Sequence, residues 1–157
     1  MSETHTVHVR VGEREVRWTL RVRHGDGQWH LTLRSPHGVE CEASGNDVFH
    51  ALRTMRAELA PRGVTLCCNG ARVDVRPSGL SRSHGAWMVY VLPRWRPTTA
   101  RDLVPTLGYA PADRIGSVEE QDAYWARHLR HRRNPLNFIN PVWWIYWATA
   151  SWGRPRK

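Results

Sequence analysis

The sequence predicts an α+β fold: an antiparallel β-meander with one covering helix, then a C-terminal helix and an aromatic tail. Three observations carry this expectation. Apolar and polar residues alternate with period two through much of the first 43 positions. The period changes to that of a helix after Ser44-Gly-Asn-Asp47. Near the end, Trp143, Trp144, Trp147 and Trp152, four of nine tryptophans, fall within ten positions.

Residues 6–11 and 15–22 alternate, the second run placing Val16, Trp18, Leu20 and Val22 on one face and Arg17, Thr19 and Arg21 on the other. His24-Gly-Asp-Gly27 signals a tight turn into a strand carrying Trp29, Leu31 and Leu33. Ser35-Pro-His-Gly38 turns the chain again into residues 39–43, completing a meander with one wet face. Ser44-Gly-Asn-Asp47 then offers capping side chains for a helix over residues 47–60, with Val48, Phe49, Leu52, Met55, Arg56 and Leu59 at helical spacing, and Pro61-Arg-Gly63 ends it. Residues 64–68 and 71–75 flank Asn69-Gly70, which predicts a β-hairpin with a type I′ turn. Residues 87–92 read as one more strand of the sheet.

The chain thus divides into residues 1–92, the sheet with its covering helix; 93–116, a connector interrupted by Pro97, Pro105 and Pro111; and 117–157, a capped helix and Trp-rich basic tail. Ser117-Val-Glu-Glu120 is a capping box. The helix it opens runs to about Arg132 and turns Val118, Tyr124, Trp125, His128 and Leu129 toward an apolar surface. Its acids lie at the start and Arg127, Arg130, Arg132 and Arg133 at the end, matching the helix dipole.

The length of 157 residues suits one domain with a real core. Basic residues comprise 22 arginines and one lysine, a bias that a GC-rich bacterial genome produces. Residues 1–50 hold six arginines against seven acids; residues 51–100 hold eight against two; residues 101–157 hold nine bases against five acids. A net charge of +9 favours acidic partners without choosing among them. Cys41, Cys67 and Cys68 are odd in number and lack metal-ligand spacing, so they read as reduced core residues. The first residues lack the regions of a signal peptide, which predicts a cytoplasmic protein.

No catalytic signature emerges. His128 and His131 are a helical pair set among arginines that would repel a cation, so no metal and no cofactor are expected. Glu40 and Glu42 on one strand read as a solvated face rather than a glycosidase pair. Phosphate-binding GxxxxGK[ST], dinucleotide GxGxxG and GxSxG patterns are all missing. An enzyme is the third choice behind two binding functions.

Around the Asn-Gly step, Asn69, Gly70 and Arg72 precede Pro77-Ser78-Gly79 and a following strand. Residues 68–91 thereby resemble a hairpin segment in a family of small bacterial proteins with no known activity. That family continues with a glycine run where this chain has Ser83-His-Gly-Ala-Trp87. The resemblance implies a shaped loop over residues 72–85 and no activity. Read physically, Arg72, Arg76 and Arg82 around small turn residues make an anion-facing surface.

Trp143, Trp144, Tyr146, Trp147 and Trp152 are the expected partner-binding residues, since tryptophan and arginine dominate binding hot spots. Pro141 permits a short helix from that point. Such a tail could instead dock on its own domain or lie at a membrane interface. Its apolar core, residues 138–152, is too short to span a bilayer. The function expected is a non-catalytic protein-binding module, an adaptor or immunity-type protein. It would use the tail and the arginine-rich hairpin, with another protein or a second copy of the chain as partner. The alternative is a nucleic-acid binder that stacks aromatics and neutralises phosphates through Arg72, Arg76, Arg82, Arg127, Arg130, Arg132 and Arg133.

Overall fold

Alternation in the first 45 residues becomes four long strands: β1 (Ser2–Val11), β2 (Arg14–Gly25), β3 (Gln28–Ser35) and β4 (Gly38–Gly45). The computed structural model describes residues 2–132, together with Pro141 and Ile145. A fifth strand, β5 (Val64–Leu66), pairs with β1, giving an antiparallel half-barrel of order β4-β3-β2-β1-β5. Register aligns the apolar positions: Val7 faces Trp18, Leu20 faces Leu33, and Leu33 faces Cys41. Positive φ at Asp26 (55°) and Gly27 (74°) gives the β2–β3 turn the sense that matches strand twist.

Helix α1 (Val48–Leu59) begins where Asp47 accepts from the His50 amide at 2.6 Å. It covers one face of the half-barrel, burying Leu52, Met55 and Leu59 completely against Leu20, Val22, Leu31 and Leu33. Each such side chain contributes about 1.5–3 kcal/mol on leaving water. Cys41, Cys67 and Cys68 are all buried free thiols. Alternation would expose one of the last two, but the chain leaves the sheet after Leu66, so the outward position is covered.

The hairpin expected at Asn69-Gly70 is not formed. Asn69–Ala71 is a single turn of 3-10 helix, and Gly70 is not among the glycines with positive φ. Long-range bonds outweigh the local preference: the Asn69 amide donates to the Gly108 carbonyl and the Gly70 amide to the Thr106 carbonyl, each at 2.7 Å, and Asn69 Nδ2 to the Pro105 carbonyl at 3.0 Å. Glycine is required at position 70 for space, since a Cβ there would lie 2.6 Å from Leu52 Cδ2 and 2.8 Å from Thr106 Cγ2.

The last strand also departs from the expected single sheet. β6 (Val75–Arg76), β7 (Met88–Val91) and β8 (Leu103–Pro105) form a second antiparallel sheet of order β6-β7-β8. Between β6 and β7 lies a short helix, α2 (Gly79–Ser83), whose cap Ser78 accepts from the Ser81 amide at 3.0 Å. Phe49 of α1 closes a small core with Val75, Ala86 and Val89, so α1 joins the two sheets.

Helix α3 (Val118–Arg132) carries the predicted capping box: the Ser117 amide donates to Glu120 Oε2 at 2.7 Å, and the Glu120 amide to Ser117 Oγ at 3.1 Å. Pro141 and Ile145, the two described tail positions, have helical backbone, and Ile145 is exposed. No described helix is long and apolar enough to cross a membrane.

Candidate functional site

The half-barrel face turned away from α1 collects side chains that composition alone hides. Strand alternation sends Arg17, Thr19, Arg21 and Arg23 of β2 outward, with His30, Thr32 and Arg34 of β3 beside them. Register then builds cross-strand rows: Ser2, Arg23, His30 and Ser44 in one, and Thr4, Arg21, Thr32 and Glu42 in the next. Arg17, Arg21, Arg23 and Arg34 make no ion pair among the described residues.

The acids of the same segment are mostly committed elsewhere. Glu15 takes His8 at 2.7 Å, Glu40 takes Arg62 at 3.1 Å, and Asp47 caps α1. Folding therefore separates charges that nearly cancel along residues 1–50. The arginines form one wall of an open cleft of about 720 Å³, made by Arg21, Arg23, Arg34 and His30. Its other rim, around the β4 edge, carries Glu42 and, from α1, Glu58. Thr32 Oγ1 donates to Glu42 at 3.2 Å and the Cys41 thiol to Glu58 at 3.3 Å, which steadies the acidic rim.

The sequence-predicted arginines have different fates. Arg72 forms a bidentate pair with Asp74, both bonds 2.8 Å. Arg76 bonds Asp122 of α3 at 3.2 Å and lies 5.1 Å from the Trp125 ring centroid. Arg53 joins the same carboxylate at 2.8 and 2.6 Å and holds Asp122 below the usual carboxylate range. These two of the three hairpin-region arginines thus serve internal pairs, and burial lowers the Arg76 pKa. Arg82 is exposed on α2. Arg127 sits 5.9 Å from the Tyr124 ring, and Arg130 and Arg132 are exposed at the end of α3. Arg133, Trp143, Trp144, Tyr146, Trp147 and Trp152 lie outside the described residues.

Candidate nucleophiles are muted. Burial pushes the Cys41 and Cys68 thiols up to about 11 each and raises Cys67 as well, keeping all three protonated at neutral pH. Among the described residues no three His, Cys, Asp or Glu side chains cluster as metal ligands do. Glu40 and Glu42 point to different partners, Arg62 and Thr32.

The sheet-face arginines were not singled out as a site because their sequence segment is nearly neutral. The signal was present in the alternation of Arg17, Thr19, Arg21 and Arg23, and becomes a surface only when β3 supplies His30 and Arg34.

These features define an α+β scaffold presenting a charge-patterned open cleft. No family model matches the chain, and no curated protein is significantly similar to it.

Proposed function

We propose that this protein is a non-catalytic binding module that docks another protein on the open sheet face, with the aromatic tail as a second contact. The supporting observation is the two-signed cleft: Arg21, Arg23 and Arg34 on one wall, Glu42 and Glu58 on the other. Arginine forks match carboxylates bidentately, and unpaired guanidinium groups gain most from such partners. A phosphate backbone presents one sign of charge throughout, so Glu42 and Glu58 would oppose it. A folded protein surface carries both signs and can answer both walls.

Nucleic acid is the second reading. It is favoured by Trp95, 72% exposed with the Arg94 guanidinium 5.4 Å from its ring, and by the exposed Arg127, Arg130 and Arg132.

Opposite charge changes separate the two readings. The partner is recovered from the host by cross-linking and its affinity measured against Arg21→Glu with Arg34→Glu, and against Glu42→Lys. A protein partner is weakened by both changes. Nucleic acid is weakened by the first and strengthened by the second, and that outcome would overturn the proposal.

A further inference from the structure

Among the described residues the half-barrel has two open strand edges, and the chain treats them differently. At β4, Arg62 Nη1 donates to the Glu40 carbonyl, and the register with β3 shifts between Leu33 and Arg34. A covered carbonyl and a bulge both discourage another strand from pairing there. The first half of β1 carries neither device. β5 lies beside β1 only from Val9 to Val11, and the Cys67 amide adds one bond to the His8 carbonyl at 2.8 Å. Past that point the chain of β5 leaves the sheet, and among the described residues nothing pairs with the outer edge of positions 2–6.

His8 shows which backbone groups that edge presents. Its carbonyl faces β5, and alternation along an unbroken strand turns the N–H and C=O of Thr6, Thr4 and Ser2 the same way. All three residues are exposed. Positions 2–6 contain no proline, glycine or lysine to blunt the edge.

We propose that this edge pairs with the same edge of a second copy of the chain, as an antiparallel ladder about a twofold axis at Thr4. Register selects this occupant. Facing residues in such a ladder must both turn their N–H and C=O groups toward the partner, so even positions meet even positions. Thr4 opposite the partner's Thr4 sets Ser2 against Thr6 and Glu3 against His5, and uses only free groups. The neighbouring registers fail. With Ser2 opposite the partner's Thr4, the two Glu3 carboxylates face each other, which is destabilising. With Thr4 opposite the partner's Thr6, Ser2 falls opposite His8, a place that Cys67 already holds.

The remaining register brings threonines together at the axis and a carboxylate against an imidazole on each side of it, pairs that stabilise facing strands. An imidazole N–H donates to a carboxylate in the neutral ring as well as the charged one. Glu3 already lies 3.4 Å from His5 Nε2 of its own strand, but that nitrogen makes no hydrogen bond. Pairing joins the two carboxylates and two imidazoles in alternation. The His5 ring rests against Trp87, centroids 5.5 Å apart, so its place is set beforehand.

On the cleft face the ladder continues the row Glu42, Thr32, Arg21 and Thr4 into its twofold copy. The two Arg21 positions then stand three strand spacings apart, about 14 Å, beyond the screening length at physiological salt. The paired molecule presents two arginine walls on one continuous sheet. Pairing at β1 is independent of what the cleft binds.

Sedimentation of the full chain is expected to show a monomer–dimer equilibrium. Thr4→Pro removes an N–H that points away from β2, so the sheet keeps its bonds and the fold is retained. It should weaken dimerisation about tenfold or more and leave the melting temperature of dilute, monomeric samples unchanged. Cysteine placement reads the register, because facing Cα atoms in a hydrogen-bonded antiparallel pair lie about 5.5 Å apart, within disulfide reach. Thr4→Cys should cross-link with itself under mild oxidation. Ser2→Cys should cross-link with Thr6→Cys in a mixture and not with itself. The native thiols are buried and do not compete. A chain that stays monomeric up to about 1 mM overturns the proposal. So does a dimer that Thr4→Pro leaves equally tight, which would assign association to another surface. Failure of Thr4→Cys to cross-link, or cross-linking of Ser2→Cys with itself, overturns it as well.

Discussion

Arg56 Nη1 donates to Gln121 Oε1 at 3.2 Å across 65 residues of sequence, joining α1 to α3 inside the protein. Gln121 is fully buried, and its Nε2 donates to the Gly70 carbonyl at 3.1 Å and the Arg72 carbonyl at 2.7 Å. Arg56 Nη2 donates to the Gly116 carbonyl at 2.6 Å. The charge is solvated by neutral oxygens, and burial depresses its pKa. Gln121→Leu removes three hydrogen bonds and leaves the Arg72 carbonyl without this donor, while Gly70 keeps the one from Arg56, so it should cost about 3 kcal/mol. The urea midpoint is expected to fall without a change in slope.

Gly70→Ala tests the packing at the former hairpin position. The added methyl meets Leu52 and Thr106 below van der Waals distance, and overpacking of this kind costs about 1–3 kcal/mol. Thermal unfolding reads the loss. Leu52→Ala, which vacates the space, is expected to reduce the additional penalty of Gly70→Ala in a double-mutant cycle.

On the sheet face, Arg21→Glu with Arg34→Glu should leave the melting temperature within a few degrees of the wild type. Neither arginine holds an internal ion pair among the described residues. Partner binding is expected to weaken about tenfold or more, chiefly through slower association at low salt.

Acid stability draws on Asp102, Asp122 and His128. Arg96 holds the Asp102 carboxyl below its usual range, so its contribution is present above the ordinary carboxylate pKa and is lost as pH falls through the lower folded value. His128 also titrates below its ordinary value, chiefly through burial, so its contribution is full above about pH 6.5 and falls as the buried ring is forced to protonate. Stability should decline on acidification first from neutrality and again below about pH 4. Asp102→Asn is expected to shrink the lower limb, to which Asp122 held by Arg53 also contributes, and His128→Gln to remove the upper one, each measured as urea stability against pH.

Removing residues 134–157 should leave a cooperatively folding protein. Among the described residues, both core clusters draw on positions between Val7 and Ile115, and Gln121 and Tyr124 anchor α3; the Tyr124 hydroxyl donates to the Leu92 carbonyl at 2.8 Å. The shortened chain is expected to lose partner affinity. A sharp fall in melting temperature instead would make the tail part of the core and remove it from the binding surface.

Local sequence carries the meander, α1 and the start of α3 because each is specified by neighbours along the chain. Alternation at Leu20 and Val22, the Asp47 cap and the Ser117–Glu120 box need no distant partner to be recognised. Asn69-Gly70 failed as a turn signal because bonds to Thr106 and Gly108 outweighed local propensity. The site divides in the same way. Sequence alternation already placed Arg17 and Arg21 on the wet side of β2, and it marked the charged end of α3. Arg72 meets Asp74 two residues along the chain, but elsewhere tertiary approach decided whether an arginine is spent or available: Arg76 met Asp122, while Arg21, Arg23 and Arg34 came together in one cleft with Glu42 and Glu58. Backbone periodicity is a local property and can be read along a chain. Charge pairing depends on distances of a few ångströms between remote residues, and only the folded chain fixes those.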